Sequence, residues 1–381
     1  MIELEHVTKV YPDGTEAVMD VSLQIQEGEV CILLGPSGCG KTTTMKMINR
    51  LIPITEGKIY VDGQDNTGLN ENQLRRSIGY AIQEIGLFPH MTVGQNIATV
   101  PSLLGWSRRQ RRERARELLD LVGMTPDDFI DRYPSELSGG QRQRVGVARC
   151  LGADPPILLM DEPFGAIDPI TREKLQNEFL KIQQEIKKTI VFVTHDFDEA
   201  LKMGDRIALM RAGELIQYDQ PSVLLSQPKN EFVRDFVGAD RALKGMRLMR
   251  VKEVMRQNPP TVNVADSAER ARQVMDQDRR DWAVVVDDDR ALCGWVNRKN
   301  LDEGETVREI LMPPTTTATT DTVLNEALSL MLMSVIGNLG IVDRHGRLEG
   351  VLTYNAIRRV LGEIYAEEEA EEEKATEEVQ S

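Results

Sequence analysis

The sequence predicts an α/β chain followed by a smaller α+β part built from two similar units. Three observations carry this expectation. An apolar run of strand length, residues 29–34 (EVCILL), leads into a glycine-rich loop and then a helix-forming stretch over 43–51. Short apolar strands and periodic helices then follow one another to about residue 238. Beyond that point the sequence repeats itself at an offset of about 56 residues: 251–255 matches 307–311, 285–287 matches 341–343, and Gly294 matches Gly350. With 381 residues, the chain is long enough for two or three domains.

Residues 2–11 and 17–25 read as strands joined by a turn at Pro12, Asp13 and Gly14. The loop Gly35, Pro36, Ser37, Gly38, Cys39, Gly40, Lys41, Thr42 fits G-x-x-x-x-G-K-[ST], whose backbone N–H groups wrap a nucleotide's phosphates. Its glycines let the main chain approach an anion, and the helix start behind it adds unpaired N–H groups and a positive dipole end. Lys41 is placed to reach the β- and γ-phosphates and the Thr42 hydroxyl to reach Mg²⁺. Tyr11, some two dozen residues earlier, reads equally as a purine-stacking ring or a strand-edge tyrosine.

Residues 57–64 give a strand and turn, and 74–83 a short helix with a strand ending at Gln83. From 84 to 104 the chain changes character, punctuated by Pro89, Gly94 and Pro101. Residues 107–122 are helical, with Ala115, Leu118, Leu119 and Val122 on one face. Arg108, Arg109, Arg111, Arg112, Arg114 and Arg116 on this helix read as a solvated face pairing with Glu113 and Glu117. Ser138 caps a further helix whose start Gly139 and Gly140 leave uncovered, a second helix end suited to an anion.

Residues 157–160 (ILLM) form a buried strand ending in Asp161 and Glu162. The first carboxylate suits a Mg²⁺ ligand and the second suits polarisation of an attacking water; a solvated acidic pair is the other reading. A long helix opens at 166–168 and runs through Lys187. The strand 189–194 then ends at His195, in the position of a γ-phosphate contact, ahead of Asp196 and Glu199 at capping-box spacing.

The formal net charge of −15 makes nucleic acid a poor partner, and about half of the excess lies in residues 367–381. Cys31, Cys39, Cys150 and Cys293 show no paired spacing for zinc or for a disulfide framework and read as cytosolic thiols. No apolar run approaches the roughly 20 residues that span a bilayer, and the first residues lack signal-peptide character.

These pieces, in this order, resemble the ATP-binding subunit of an ABC transporter over roughly residues 1–238. The resemblance implies a P-loop NTPase fold of ABC type, a RecA-like core plus a helical subdomain, with ATP and Mg²⁺ as ligands. It implies phosphate binding by residues 35–42 and Thr43, and metal binding by Thr42, Gln83 and Asp161. Glu162 is then the catalytic base, His195 the switch, Lys41 and Gln83 further catalytic groups, Tyr11 the adenine-stacking ring and Asp168 the D-loop. The LSGGQ signature, with Ser138, Gly139, Gly140 and Gln141, closes over ATP held by a second copy. The resemblance further implies a head-to-tail homodimer, integral membrane permease subunits, an extracytoplasmic substrate-binding protein and a place at the cytoplasmic face of the cell membrane. Residues 86–93 are similar to the segment of bacterial importer ATPases that receives a short helix of the membrane subunit. Phe88 and Met91 are contacts there on this reading, or helical-subdomain core on the other.

The repeat resembles a tandem pair of CBS (cystathionine-β-synthase) domains, 250–305 and 306–363, behind a linker at 239–249. Each unit reads strand–helix–strand–strand–helix, with Asp266 and Glu269 as candidate caps of one helix and Asp321 or Thr322 of the other. Thr353 stands where the family keeps a threonine. Asn355 replaces its ribose-binding acid and Asn297 the first unit's threonine, so a regulatory adenine nucleotide, a cyclic dinucleotide, no ligand and a dimerisation role all stay open. An ABC ATPase followed by two CBS units and an acidic tail (364–381) resembles the osmoprotectant importers for glycine betaine, carnitine, choline, proline betaine and related quaternary amines. An importer for another solute such as an amino acid, and a soluble non-transport ABC ATPase, are the alternatives. The tail offers a route to salt sensing, because the Debye length falls from about 10 Å at 0.1 M to about 3 Å at 1 M; a solubilising end is the other reading.

Overall fold

The computed structural model describes residues 1–82, 86–165, 167–238, 240–334, 337–360 and 362, so Gln83 and the acidic tail lie outside the described residues. Two compact units result, Met1–Val237 and Gly238–Ser381.

The strands of the first unit are β1 (Ile2–Val10), β2 (Glu16–Ile25), β3 (Val30–Leu34), β4 (Glu56–Val61), β5 (Gln64–Asp65), β6 (Ile78–Ala81), β7 (Ile157–Asp161), β8 (Thr189–Thr194), β9 (Arg206–Arg211) and β10 (Glu214–Asp219). They form a four-stranded sheet of order β2-β1-β4-β5, antiparallel throughout, and a six-stranded sheet of order β10-β9-β3-β8-β7-β6. From β9 to β6 every pairing in the larger sheet is parallel. Every residue of β3, β7 and β8 is buried, which is why these strands read as unbroken apolar runs rather than alternating ones. One core joins the two sheets, with Met45, Met47 and Ile48 of α1 (Lys41–Ile48) between them.

Helix α2 (Glu71–Ser77) precedes β6. A helical region is inserted between β6 and β7: α3 (Val93–Ile97), α4 (Thr99–Leu103), α5 (Arg108–Leu121), α6 (Pro126–Phe129) and α7 (Gly139–Cys150). The punctuated stretch over 84–104 thus holds two helices of five residues each, too short for periodicity to show, the first closed by a capping box between Thr92 and Gln95. Helix α5 buries Ala115, Leu118 and Leu119, and Val122 is buried just behind it. Its arginines pair on the surface as expected, Arg109 with Glu113 and Arg114 with Glu117, and also with Asp131 (Arg112) and Asp127 (Arg116). Helix α8 (Pro169–Ile186) starts at its Asp168 cap and stops where Lys187 turns left-handed. Helix α9 (Phe197–Met203) follows β8, and α10 (Pro221–Ser226) and α11 (Glu231–Val237) end the unit.

In the second unit, residues 239–249 are more than a linker: α12 (Arg241–Gly245) forms there and Met246 is fully buried in a core. The remaining elements are α13 (Val251–Val254), β11 (Thr261–Asn263), α14 (Ala268–Asp278), β12 (Trp282–Val286), β13 (Leu292–Asn297), β14 (Thr317–Ala318), α15 (Leu324–Leu332), β15 (Asn338–Val342) and β16 (Leu348–Thr353). Two three-stranded sheets result, β11-β12-β13 and β14-β15-β16. The closing helix expected in the first repeat shrinks to a 3-10 turn over Arg298–Asn300, whereas 354–360 is helical in the second.

The two repeats exchange their opening segments. Val251 and Val254 pack with Leu324, Ile341 and Leu352 of the second repeat, while Val307 and Ile310 pack with Ala271, Val285 and Val296 of the first. The hydrogen bonds repeat with the same offset: Val251 N–H donates to Thr322 O and Val307 N–H to Asp266 O, both at 2.9 Å. Arg256 bridges to Val351 and Met312 to Trp295 in the same way. The expected helix caps do not form. Asp266 accepts from Asn263 N–H and Ser267 caps α14; Thr322 accepts from Thr319 N–H and Asp321 meets Lys252, so Val323 stands at the N-cap of α15 and no side chain caps the helix.

Gly294 sits at φ 151°, and a Cβ there would stand 2.2 Å from the Met312 carbonyl oxygen. Gly294→Ala is expected to cost roughly 2–4 kcal/mol through strain and loss of the exchanged strand contact. Urea unfolding followed by tryptophan emission checks this, since Trp282 and Trp295 both lie in this unit; an unchanged midpoint would show that the exchange absorbs a methyl group.

Candidate nucleotide-binding site

Neighbouring parallel strands β3, β8 and β7 stand in register, Leu34 beside Thr194 and Val193 beside Asp161. Their carboxyl ends bring the loop after β3, His195 after β8, and Asp161 and Glu162 at the end of β7 to one sheet edge, where ligands of parallel α/β sheets bind.

The loop is shaped by glycine. Gly35, Gly38 and Gly40 hold φ of 145°, 79° and 102°. A Cβ on Gly35 would stand 2.2 Å from Met210 O and one on Gly40 2.4 Å from Ala17 O, so only glycine fits at either place. Pro36, Ser37 and Gly38 are exposed at the rim, and Cys39 is buried beneath. Lys41 is buried, with its ammonium inside the loop donating to Gly35 O at 2.6 Å and Pro36 O at 2.9 Å. Gly40 caps α1 in the left-handed conformation, so the helix begins at Lys41, two residues before the predicted start, and turns its first N–H groups to the loop.

Thr42 Oγ1 donates to Asp161 Oδ1 at 2.9 Å. Burial holds the Asp161 carboxyl above its usual range, and the Thr42 hydrogen bond opposes the shift. A hydroxyl and a carboxylate are hard oxygen donors that fit Mg²⁺. Among the described residues no cluster of three or more His, Cys, Asp or Glu gathers.

Glu162 takes a left-handed backbone, φ 43°, and its N–H donates to Val193 O at 3.0 Å. That turn leaves Glu162 Oε1 3.1 Å from His195 Nδ1, the carboxylate mostly sheltered and the imidazole mostly exposed. Tyr11 opens the turn between β1 and β2; its hydroxyl is 3.5 Å from Thr43 Oγ1 and Lys9 Nζ stands 5.3 Å over its ring. The ring thus lies beside the start of α1. Gln83 lies outside the described residues.

The set from Ser138 to Gln141 is engaged with itself. Ser138 Oγ accepts from Gln141 N–H at 3.3 Å, and Gln141 Oε1 accepts from Ser138 N–H at 2.9 Å. Ser138 and Gly139 are exposed, and a Cβ on Gly139 would meet nothing. The structure therefore gathers the loop, Asp161, Glu162 and His195, and presents the second helix end on the surface.

Sequence reasoning missed a buried set next to His195. Glu199 is not the reciprocal partner of a capping box. Asp196 Oδ1 does accept its N–H at 3.2 Å, but the Glu199 carboxylate turns inward to the hydroxyl of Thr194 and to Gln176 Nε2. Its signal was ambiguous, because capping spacing and an inward-facing acid look alike in one dimension.

The ABC transporter family model matches residues 18–165, and the CBS domain model matches 251–303 and 307–363. The choline transport ATP-binding protein of Bacillus subtilis is 48% identical over 359 residues, 93% of this chain and 94% of that protein. The chain belongs to the ABC transporter ATP-binding subunits. The carnitine transport ATP-binding protein of Listeria monocytogenes is 47% identical over 93% of this subunit and 90% of its own length. The glycine betaine/carnitine/choline transport ATP-binding protein of Bacillus subtilis is 46% identical over 97% and 98%. A solved dimeric structure of a bacterial ABC transporter cassette superposes with a TM-score of 0.53 at 38% identity, covering 58% of this subunit and 99% of that chain. The subunit is an ATP hydrolase of the translocase type, and among the described residues no helix is long and apolar enough to cross a membrane.

Gly40→Ala tests the loop directly. A methyl group facing Ala17 O adds strain of about 1–3 kcal/mol, which predicts roughly tenfold weaker ATP binding in a fluorescent-nucleotide titration.

Proposed function

We propose that this subunit drives uptake of a quaternary-amine osmoprotectant by hydrolysing ATP at the interface of a head-to-tail homodimer, under regulation by its CBS pair. The observation that carries the ATPase reading is the single sheet edge holding Lys41, Thr42, Asp161, Glu162 and His195. The substrate class is supported by relatives named for choline, carnitine and glycine betaine that match across more than nine-tenths of this chain, CBS domains included.

The loop amides and Lys41 hold the β- and γ-phosphates, and Tyr11, next to Thr43, stacks on the adenine. Thr42 and Asp161 would hold Mg²⁺, with Gln83 as a further ligand, and the ion would supply positive charge against the phosphates. Glu162 orients and deprotonates the attacking water, while His195, tied to Glu162 by its Nδ1, steadies the γ-phosphate. Ser138, Gly139, Gly140 and Gln141 form an exposed helix start that meets the γ-phosphate held by the partner copy. Their contact exists only in the closed dimer, so hydrolysis releases it.

The membrane partner docks in the helical region. A cavity of about 700 Å³ lies there, lined by Met91, Gln95, Ser102, Arg108 and Arg111 among others. Phe88 is 40% exposed, which places it on the surface rather than in the subdomain core. Asn96 is fully buried and holds the segment in shape: its Oδ1 accepts from Phe88 N–H at 2.8 Å, and its Nδ2 faces the carbonyls of Phe88, Met91 and Thr92 at 3.0–3.1 Å. A permease helix that projects from the membrane into this groove couples the permease to the ATP site.

Glu162→Gln is expected to keep ATP binding and lower turnover by about 100-fold or more, with the dimer trapped closed on size-exclusion chromatography; undiminished turnover removes the base role. Ser138→Arg should bind ATP and fail to hydrolyse it. Asn96→Leu unties the docking segment while leaving the loop intact, so ATP affinity should hold while uptake of labelled choline or glycine betaine in reconstituted transporter falls about fivefold or more. Uptake of labelled amino acids but of no quaternary amine would overturn the substrate class.

A further inference from the structure

Between α8 and α9 lies a buried polar set that the phosphate chemistry does not use. Glu199 is 7% exposed, Gln176 6% and Thr194 2%. A carboxylate in such a place is costly unless its oxygens are hydrogen-bonded. Here both are: Gln176 Nε2 donates to Glu199 Oε1 at 3.0 Å, and the Thr194 hydroxyl donates to Glu199 Oε2. A hydroxyl has one hydrogen, so this donation turns the Thr194 lone pairs elsewhere, and one accepts from Asp196 N–H at 3.1 Å. Thr194 and Asp196 are the residues on either side of His195. Both are thereby pinned to one oxygen atom, which is itself anchored to α8 through Glu199 and Gln176. A second, longer contact runs the same way, Arg172 of α8 to Asp196 at 3.8 Å. The turn that carries His195 is thus framed by α8, the helix capped by Asp168, from beneath, and its ring meets Glu162 Oε1 on the other side.

We propose that Glu199 and Gln176 are positioning residues for ATP hydrolysis: their buried hydrogen bonds lock the His195 turn onto α8 and hold the imidazole where it meets both Glu162 and the γ-phosphate. This rests on the proposed role of His195. Neither residue touches nucleotide, so removing either acts on turnover and leaves the phosphate loop as it is.

Steady-state ATPase and fluorescent-ATP binding are to be measured on the purified full-length chain for Glu199→Ala, Glu199→Gln, Gln176→Leu, the double variant Glu199→Ala/Gln176→Leu, and His195→Ala. Nucleotide Kd should stay within twofold of the parent throughout, and kcat should fall at least tenfold in Glu199→Ala and several-fold in Gln176→Leu. The double variant should be no slower than Glu199→Ala, since both changes cut one linkage. Glu199→Gln, which keeps the shape and the bond to Gln176, should recover most of the rate. A purely structural role, which would overturn the proposal, would lower the melting temperature while kcat per nucleotide-binding site held. Loss of turnover in His195→Ala together with kcat within twofold of the parent in Glu199→Ala and Gln176→Leu would overturn the proposal alone. Gln176→Leu, an apolar swap in a buried place, keeps the test open should Glu199→Ala fail to fold. Full turnover in His195→Ala would overturn the role of His195 and the positioning residues with it.

Discussion

Parallel pairing of β3 with β8 and of β8 with β7 sets three strand ends one hydrogen-bonding spacing apart, about 4.8 Å. All three strands are wholly buried, so their register is held by apolar contacts on both faces and by ladder bonds on both edges. The group at the end of each strand is therefore placed without further adjustment: the glycine-rich loop after β3, a carboxylate at the end of β7 with Glu162 just past it, and a histidine after β8. A slip of one residue in any pairing would turn the matching polar group away from the edge.

The polar groups at that edge share one problem, which is burial. Lys41, Asp161, Thr194 and Glu199 are all buried, and each has a partner: loop carbonyls for Lys41, Thr42 for Asp161, and a carboxylate with its hydroxyl and amide donors for the last two. In a poorly solvated region such bonds are strong, and any that fails is costly. The same burial that raises the pKa of the Asp161 and Glu199 carboxyls also fixes their side chains, so the groups at this edge are held in place by contacts among themselves.

The second unit solves a different problem. Each repeat is about fifty residues, too small to bury a large core unaided. Exchange of the opening segments lets Val251 and Val254 complete one core and Val307 and Ile310 the other, so the two repeats depend on each other. Gly294 and Gly350 mark where the exchanged strands come close, with Met312 O and Arg256 O at 2.2 and 2.7 Å from a would-be Cβ. The matching offset of these contacts is the structural trace of the sequence repeat.

The phosphate loop, the buried strands, Asp161, Glu162 and His195 were legible in the sequence because local rules govern them. A glycine pattern of this spacing between an apolar run and a helix reads as a phosphate-wrapping loop, and a strand that reads as apolar throughout reads as one buried on both faces of a sheet. The 56-residue repeat was equally plain. The sequence could not say which core each opening segment joins, since 251–255 and 307–311 carry the same pattern and would satisfy either. Nor could it tell that Glu199 points inward, that Asp266 and Thr322 serve turns rather than helix starts, or that Asn96 ties a surface segment together. Those outcomes rest on side-chain contacts that spacing leaves open: Gln176, on another helix, for Glu199, and nearby backbone groups for Asp266, Thr322 and Asn96. Periodicity reports which face of an element is apolar; only packing in three dimensions decides which polar atoms meet.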